Sequence, residues 1–443
     1  MDTLVNECGP EALGNLGAIC DRLGGEKALL IVSDERIWKA EGAELRRALA
    51  ARKDEAGYFI LPGDPPPYAD DSLVATVREA LRAQDCLALA FGGGTINDAV
   101  KRAAFELGRP YVCVPTAPSV DGYTSYGASI TVGGFKMTLE CSAPIAIVAD
   151  PALLARAPGE LIASGFGDLA AKVVAGVDWM IADAIGVDRI DQAVFDMVQP
   201  FAMGILGKGA KVRSHEAAAI GELYQGLAAS GLAMQRYRDS RPASGAEHLM
   251  SHVWEMAHLR HRGELVSHGF KVAVGTLASV ALQRRMLLMS GKELELAAAE
   301  AGDEFLDERI AAAKASIPAN AGLDRAIEAI GAKTLGGSKL AERRATILAT
   351  WDDLRSRALA RLPTFDSLRR SLLEAGCPTH PSDIGLGRED YKRGILVAAL
   401  IRKRYTILDL ASEFGLLEDF AEEEALREFP VLAHPVENDT TAL

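Results

Sequence analysis

The fold is decided by one stretch of the sequence, Asp85-Cys-Leu-Ala-Leu-Ala-Phe-Gly-Gly-Gly-Thr-Ile-Asn-Asp98. Its first half is a short apolar run, which is typical of a strand buried inside a parallel sheet. Three glycines follow, and a helical segment then begins. Glycines at such a turn let backbone N–H groups approach an anion, and the helix N-terminus adds positive potential. The stretch therefore predicts a phosphate-binding turn, although a tight strand-to-helix turn without a ligand has the same composition.

Predicted strands and helices also alternate in the residues around this stretch. Short apolar runs bounded by glycine, proline or aspartate alternate with amphipathic segments. Such alternation predicts a parallel sheet covered by helices, in which ligands bind beyond the carboxyl ends of the strands. The predicted strands are residues 27–33, 57–61, 85–91, 111–115 and 144–149, with a hairpin near 129–137.

The pattern changes beyond residue 155, where strand-like runs almost vanish and segments of helical period fill the chain. We therefore predict an α/β domain with a Rossmann-like parallel sheet over residues 1–155. An all-α domain is predicted to follow over residues 156–443.

Composition narrows the class of protein. The net charge of −13 argues against binding to nucleic acid or to anionic membranes, because phosphates need a basic surface. The six cysteines form no CxxC pair, which argues against a disulfide scaffold and against a thiolate zinc site. No secretory signal and no apolar run of roughly 20 residues is visible. We expect a cytoplasmic protein that acts on a small molecule and does not insert into membranes.

A second polar segment, Thr116-Ala-Pro-Ser-Val-Asp-Gly-Tyr-Thr-Ser125, follows the fourth predicted strand and so lies on the same edge of the sheet. Thr116, Ser119 and Ser125 are candidates to bond a nucleotide, and Asp121 is a candidate to hold a substrate hydroxyl. The alternative for Asp121 is a hydrogen-bonded loop network.

Asp168, His248 and His268 form a candidate metal site. His248 and His252 are four residues apart, so they share a helix face, although such pairs are common on helices without a metal. His268 precedes Gly269, which would end a helix or open a turn. Asp168 follows two glycines and would open a helix as its cap or pair with Lys172. Two imidazoles and a carboxylate suit Zn²⁺, Ni²⁺, Fe²⁺ or Co²⁺ and leave positions open for a substrate.

A metal that faces a nucleotide loop suggests hydride transfer.

The other five histidines are interpreted as solvent-facing or supporting residues: His215, His258, His261, His380 and His434.

Taken in order and spacing, the motifs resemble those of the sn-glycerol-1-phosphate dehydrogenase family in its bacterial form. This family is a branch of the iron-containing alcohol dehydrogenases and polyol dehydrogenases, with the dehydroquinate-synthase-like fold. The resemblance runs from about Lys27 to about Leu410. It is carried by residues 92–98, 115–125, 165–168, 240–248, 267–269 and 402–410.

The resemblance implies a role for each motif. The first domain would bind NAD(H) or NADP(H), and the second would bind one divalent metal, zinc or nickel first and iron as an alternative. Asp168, His248 and His268 would ligate the metal. Asp121, Asp168 and His252 would contact the substrate and act in catalysis. The cofactor would be bound by Gly93, Gly94, Thr95, Ile96, Asn97, Asp98, Thr116, Ala117, Pro118, Ser119 and Ser125.

The implied reaction is the reversible reduction of dihydroxyacetone phosphate to sn-glycerol 1-phosphate, by a homodimer or larger homo-oligomer. His252, or water beside it, would return the proton. The substrate phosphate needs a cation, for which Arg241 is the first candidate and Lys172 the second. Asp34 would accept the adenosine ribose hydroxyls. The alternatives are a glycerol-dehydrogenase-like enzyme, a dehydroquinate-synthase-like lyase and a relative that has lost activity.

Overall fold

The structure is a computed structural model that describes residues 2–52, 54–133, 135–302, 306–318 and 322–430. Six parallel strands of the described residues form one sheet in the order β1-β8-β5-β4-β2-β3. The remaining two strands of this half, β6 and β7, form the predicted hairpin. The strands are β1 (Val5–Cys8), β2 (Ala28–Asp34), β3 (Gly57–Leu61), β4 (Cys86–Gly92), β5 (Tyr111–Pro115), β6 (Gly127–Val132), β7 (Phe135–Glu140) and β8 (Ala146–Ala149).

The central strands are buried on both faces, as their continuous apolar runs predict. Along β2, Leu30 and Val32 join one hydrophobic core, whereas Leu29 and Ile31 join the core on the opposite face. Side chains alternate across a strand, so a fully apolar run belongs inside a sheet covered on both sides. β1 was not predicted from the sequence; it is short and only partly buried at the edge of the sheet.

The direction of strand addition reverses between β2 and β4. From β2 the chain adds β3 on one side, and it then adds β4, β5 and β8 on the other side. Ligands of open parallel sheets bind outside the strand ends at such a reversal. Asp34 at the end of β2 and the glycine turn after β4 both lie there.

Helices cover the sheet and fill the rest of the described chain, so the predicted fold class is confirmed. The division of the chain into domains at residue 155 stays a prediction. The first four helices are α1 (Leu16–Gly24), α2 (Glu35–Leu49), α3 (Asp71–Arg82) and α4 (Gly94–Glu106).

The later part contains sixteen described α-helices and one short antiparallel pair, Arg260–His261 with Glu264–Leu265. The helices are α5 (Pro151–Leu154), α6 (Gly159–Ala170), α7 (Lys172–Ala184), α8 (Gln192–Ile205), α9 (Gly209–Arg213), α10 (Ala217–Tyr237), α11 (Ala246–Met256), α12 (His268–Leu288), α13 (Gly291–Glu300), α14 (Leu306–Ser316), α15 (Leu323–Lys333), α16 (Gly337–Arg361), α17 (Phe365–Glu374), α18 (Arg388–Ala398), α19 (Ile407–Glu413) and α20 (Leu417–Glu428).

Membrane-spanning length was assessed for the described helices. No single one of them is long and apolar enough to cross a bilayer, although α12 and α13 pass the same criterion as a pair bent by 103°.

Glycines bring α6 into unusually close contact with its neighbours. A Cβ added at Gly165 would lie 1.6 Å from the backbone oxygen of Pro118. A Cβ at Gly167 would lie 2.6 Å from the oxygen of Gly269, and one at Gly269 would lie 1.8 Å from the oxygen of Ser164. The expectations that Gly269 ends a helix or opens a turn, and that Gly165 and Gly167 precede a helix opened by Asp168, are therefore wrong. Gly165 and Gly167 lie inside α6, Gly269 lies in the first turn of α12, and all three permit backbone contact.

Candidate active site

Asp168, His248 and His268 meet at the ends of three helices. Asp168 lies in the last turn of α6, His248 in the first turn of α11, and His268 is the first residue of α12. One ligand atom from each side chain lies within 4.8 Å of the other two. His252 is not a member of this group of the described residues. The expectation that Asp168 caps a helix is wrong, because the helix began nine residues earlier.

The Asp168 carboxylate is fully buried and densely hydrogen-bonded. Its Oδ1 accepts from Lys172 Nζ at 2.6 Å, and its Oδ2 accepts from the backbone N–H of Asp121 at 2.9 Å. Burial by itself would raise the pKa of Asp168, but Lys172 and the two histidines outweigh burial and hold the pKa well below its usual range. The side chain is therefore an anion that is oriented for a cation.

Lys172 joins this carboxylate to a second one. Its Nζ lies 2.8 Å from Asp121 Oδ2, which also accepts a hydrogen bond from Ser230. The two carboxylates keep the pKa of Lys172 above its usual value although burial opposes this. The predicted ion pair between Asp168 and Lys172 is confirmed. Because the ammonium is completely buried between the two acids, Lys172 is not available as the cation for a substrate phosphate.

Each histidine of the cluster is oriented by a glutamate that was not predicted from the sequence. His248 Nδ1 lies 2.7 Å from Glu247 Oε1, and His268 Nδ1 lies 2.8 Å from Glu255 Oε1. A carboxylate on Nδ1 fixes the proton there and leaves Nε2 as a lone-pair donor, as in many carboxylate–histidine–metal arrangements. The available signal was weak: a glutamate directly before His248, and another three residues after His252.

This donor set fits a divalent cation. It offers one anionic oxygen and two imidazole nitrogens on converging helix ends, and both imidazoles have their second nitrogen engaged by a carboxylate. Such a set suits zinc, nickel or ferrous iron and leaves coordination positions free.

His252 lies one helical turn beyond His248 and remains close to the cluster. The centroids of the two rings are 6.4 Å apart. Burial, with the charge of Arg402 and the neighbouring histidines, lowers the pKa of His252 to about 3 although Glu255 opposes the shift. The ring is therefore neutral, and within the described structure its buried Nδ1 has no hydrogen-bond partner.

The glycine turn presents a helix N-terminus at the reversal of the sheet. Gly93 precedes α4, and no side chain caps the first turn of this helix. A Cβ on Gly93 would meet no atom within 4 Å, whereas one on Gly94 would lie 3.3 Å from Val120. Gly93, Gly94 and Thr95 are partly exposed, so uncapped N–H groups lie where an anion can reach them.

The side chains of other predicted cofactor residues point inward and support the glycine turn. Ile96 and Asn97 are buried, and Asn97 accepts a hydrogen bond from the Tyr111 hydroxyl. Asp98 accepts from the backbone of Ser129. Their side chains hold the turn in place.

The segment after β5 is also buried. Thr116, Ala117, Pro118 and Ser119 are all buried, and the Ser125 hydroxyl bonds the carbonyls of the surrounding loop. Lys101 of α4, itself fully buried, donates to the carbonyls of residues 122, 125 and 127. The loop that carries Asp121 is thus fastened to the helix that begins at the glycine turn.

The contacts of Arg241 do not suit the role predicted for it. Its guanidinium is 1% exposed, and it donates to the carbonyls of Tyr405 and Asp178 and lies 3.2 Å from Asp188. These contacts tie α7 to the loop before α19, so the prediction that Arg241 binds the substrate phosphate is corrected.

Asp34 has a structural task as well. Its Oδ1 accepts from the backbone N–H groups of Arg36 and Ile37 and so caps α2. Its place at the end of β2 agrees with a ribose site, and its contact with a nucleotide stays a prediction.

The remaining histidines stand apart from the cluster, with His434 outside the described residues. His258 is exposed, and His215 bonds the Ala155 carbonyl. His261 is partly buried, and His380 caps the short 3₁₀ helix Pro381–Ile384.

A glycine turn at the strand reversal of a parallel sheet, together with an Asp-His-His cluster at the ends of helices, is the arrangement of a metal-dependent dehydrogenase. Comparison with known families agrees: the family model described as iron-containing alcohol dehydrogenase matches residues 7–158.

Curated relatives narrow the class. A glycerol-1-phosphate dehydrogenase [NAD(P)+] of Halalkalibacterium halodurans is 33% identical over 76% of this chain and 84% of its own length. Enzymes of the same name are 36% identical in Geobacillus stearothermophilus, over 78% and 76% of the two chains, and 30% identical in Bacillus subtilis, over 87% and 85%. The chain belongs to the glycerol-1-phosphate dehydrogenase family.

Solved structures share the fold. A glycerol dehydrogenase of Schizosaccharomyces pombe superposes with a TM-score of 0.56 at 15% identity, over 96% of this chain and 91% of the other. A sulfoacetaldehyde reductase of Bifidobacterium kashiwanohense gives a TM-score of 0.59 at 15% identity, over 95% and 98%. At these identities the likeness concerns the fold alone.

Proposed function

We propose that this chain catalyses the reversible reduction of dihydroxyacetone phosphate to sn-glycerol 1-phosphate, with NADH or NADPH as the reductant. In the forward direction the ketone, the reduced nicotinamide and one proton give the secondary alcohol and the oxidised nicotinamide. The observation that carries the proposal is the cluster of Asp168, His248 and His268, in a chain whose curated relatives bear this enzyme name.

The three residues would hold one divalent cation, zinc or nickel before iron. When both groups are bound, the cation supplies Lewis acidity at the substrate carbonyl and the nicotinamide supplies the hydride. Lys172 keeps Asp168 anionic, and Glu247 and Glu255 engage the Nδ1 atoms of the two histidines. His248 Nε2 lies 3.4 Å from Asp168 Oδ1. The protein therefore contributes a donor set that is ordered before a cation arrives.

Cofactor binding is assigned to the glycine turn. The uncapped first turn of α4 offers N–H groups to the pyrophosphate, and Asp34 lies at the adjacent strand end for the ribose. The buried residues of the 116–125 segment would shape the wall of this site.

Asp121 and His252 would face the substrate. Asp121 is bound to Lys172, so its position is coupled to that of Asp168. A neutral His252 carries one proton and accepts another, so it would relay a proton from water to the product oxygen and would not release one from an imidazolium.

The expected homodimer or larger assembly is proposed from the family resemblance alone. Sedimentation velocity would test it, and a monomer at catalytic concentrations would contradict it.

The proposed reaction is tested by following NADH absorbance after metal-free protein has been reconstituted with Zn²⁺, Ni²⁺ or Fe²⁺. We expect oxidation with dihydroxyacetone phosphate and none in the presence of a chelator. No oxidation with any of the three metals would refute the reaction. Faster turnover of unphosphorylated dihydroxyacetone than of its phosphate would favour a glycerol-dehydrogenase-like enzyme.

A further inference from the structure

Asp178 of α7 is a completely buried carboxylate that takes no part in the proposed reaction. The helix that carries it follows α6 after Ala171 alone, and the backbone of Ala171 is itself helical. Asp178 is therefore joined to Asp168 by nearly continuous helix. A buried carboxylate is costly unless its oxygens accept hydrogen bonds, so the partners of Asp178 indicate its task.

Three N–H donors from three other helices converge on this carboxylate. The backbone N–H of Ala246 donates to Oδ2 at 2.7 Å, and that of Ile407 donates to Oδ1 at 2.9 Å. The side-chain amide of Gln283 donates to Oδ1 at 3.0 Å. Ala246 and Ile407 are the first residues of α11 and α19, and Gln283 belongs to α12. Asp178 therefore fastens three helices to α7.

The bond to Ala246 is a helix cap that is supplied from another helix. The first N–H groups of an α-helix have no partner within the helix, and an acidic side chain beside them is stabilising. The residue before α11 is Gly245, which has no side chain that could accept from them. Asp178 takes this place, two residues before His248.

Gly245 also lets the start of α11 lie against Asp178. A Cβ added at Gly245 would lie 2.5 Å from Asp178 Oδ2 and 2.8 Å from Glu247 Oε2. The other oxygen of Glu247 contacts His248 Nδ1 at 2.7 Å and accepts from the backbone N–H of Gly245 at 2.7 Å. A shift of this helix start would therefore move the glutamate that orients His248.

Gln283 connects the same carboxylate to the helix of the second histidine. Its Nε2 also donates to the carbonyl of Val174, so both of these bonds reach α7. Gln283 is completely buried in α12, whose first residue is His268. Because an α-helix has a fixed rise and pitch, anchoring one part of α12 constrains the position of its first turn.

We propose that Asp178 is a positioning residue of the metal site, which anchors α11 directly, and α12 through Gln283, to the helix that continues from Asp168. The anchor sets how far apart the three ligand side chains lie. This inference rests on the proposed metal site. Asp178 touches neither the cation nor the substrate, so its loss should give a folded protein that binds a cation more weakly and in a changed geometry.

The test compares wild-type protein with Asp178→Asn. An amide nitrogen then replaces one of the two oxygens and cannot accept the bond that this oxygen received. Metal-free protein is titrated with Zn²⁺ against a chromophoric chelator, and the visible absorption of the Co²⁺-loaded protein is recorded. We expect the affinity for Zn²⁺ to fall by about 10-fold or more. The Co²⁺ bands should change in position or intensity, because they report coordination geometry.

Gln283→Met is a second variant, which keeps the length of the side chain and removes the amide. It leaves the bond between Asp178 and Ala246 intact. We therefore expect a smaller change of both measurements in the same direction.

The matched control is Asp409→Asn. Asp409 is also buried, lies in the first turn of α19, and accepts from the backbone of Thr406 and from Arg309 and Lys333. Both substitutions should lower the midpoint of chemical denaturation of the metal-free protein. Only Asp178→Asn should change the affinity for Zn²⁺ and the Co²⁺ spectrum, because a purely structural loss leaves these two measurements unchanged.

Wild-type affinity and spectrum in Asp178→Asn, or in Gln283→Met where the first variant does not fold, would overturn the positioning role. An equal loss of affinity in Asp409→Asn would overturn it as well, since the effect would then be a general loosening of the fold. Wild-type protein that binds no Zn²⁺, or a His248→Ala protein with wild-type affinity, would instead overturn the proposed metal site. The two failures are therefore distinguishable.

Discussion

At the scale of single residues, neighbouring side chains prepare the cluster of Asp168, His248 and His268 for a cation. Glu247 and Glu255 occupy the Nδ1 atoms of the two histidines, and Lys172 balances Asp168. Each of the three ligand side chains is therefore oriented by a neighbouring side chain: a lysine orients the aspartate, and a glutamate orients each histidine.

Replacing His268 or His248 by alanine removes one of three donors. We expect each variant to fold and to lose both the bound metal and activity, which metal analysis after gel filtration would measure together with NADH oxidation. His252→Ala should keep the metal. If His252→Ala releases the metal while His248→Ala retains it, the assignment of the pair is reversed.

Glu255→Gln tests the orienting role of the carboxylates. The amide keeps the size of the side chain but removes its negative charge, so we expect metal affinity to fall by about 10- to 100-fold. Chelator competition monitors this directly. The control is Glu264→Gln, an exposed glutamate of the short antiparallel pair. Equal affinities of Glu255→Gln and wild type would contradict the orienting role.

Lys172→Met removes the cation between two buried carboxylates. Because an unpaired buried charge is costly, we expect a loss of about 3–5 kcal/mol in the free energy of unfolding of the metal-free protein. Lys27→Met provides the comparison, since it breaks an exposed pair with Asp85 and should cost less than about 1 kcal/mol. Chemical denaturation of both variants measures the difference, and equal losses would contradict the bridging role of Lys172.

At the scale of elements, close backbone contacts of α6 place Asp168. Gly165 lies against the segment after β5, and Gly167 lies against the first turn of α12. The helix thereby joins the loop of Asp121 to the helix of His268. The sequence supports the three site residues by type and spacing, but it offers no sign that these glycines are contact points.

Gly165→Ala is expected to push α6 away from Pro118. The added methyl group has no room, so we predict a loss of about 1–3 kcal/mol of stability with reduced metal affinity. Gly204→Ala in α8 meets no atom within 4 Å and should instead stabilise by about 0.5–1 kcal/mol. Thermal unfolding compares the two variants, and a Gly165→Ala protein as stable as Gly204→Ala would contradict the close-contact account.

The elements that sequence patterns predicted well are those with a strong local signal. The buried strands β2, β4 and β5 carry continuous apolar runs, and the glycine turn follows directly from its composition. The engagement of Arg241 depends on contacts with residues 164 and 63 positions away, and the contact between Asp121 and Asp168 spans 47 positions. Such contacts leave no local period, so single-sequence patterns cannot disclose them.

At the scale of the whole molecule, the cluster ties three helices of the later part to the loop of Asp121 from the sheet. A cation bound there would cross-link α6, α11 and α12, so binding should stabilise the fold. At a free metal concentration of 100 times Kd we expect about 2.7 kcal/mol of added stability. The midpoint of thermal unfolding should rise when metal is returned to chelated protein. His268→Ala should show no such rise, and an equal rise in that variant would place the stabilising metal elsewhere.

The central claim is that Asp168, His248 and His268 together hold one divalent cation. Anomalous scattering from crystals of the zinc-loaded protein, recorded on both sides of the zinc edge, tests this claim most directly. We predict a single strong peak per chain that contacts the Asp168 carboxylate and the Nε2 atoms of His248 and His268. A peak bound by His252 in place of His248, or no peak among these three residues, would contradict it.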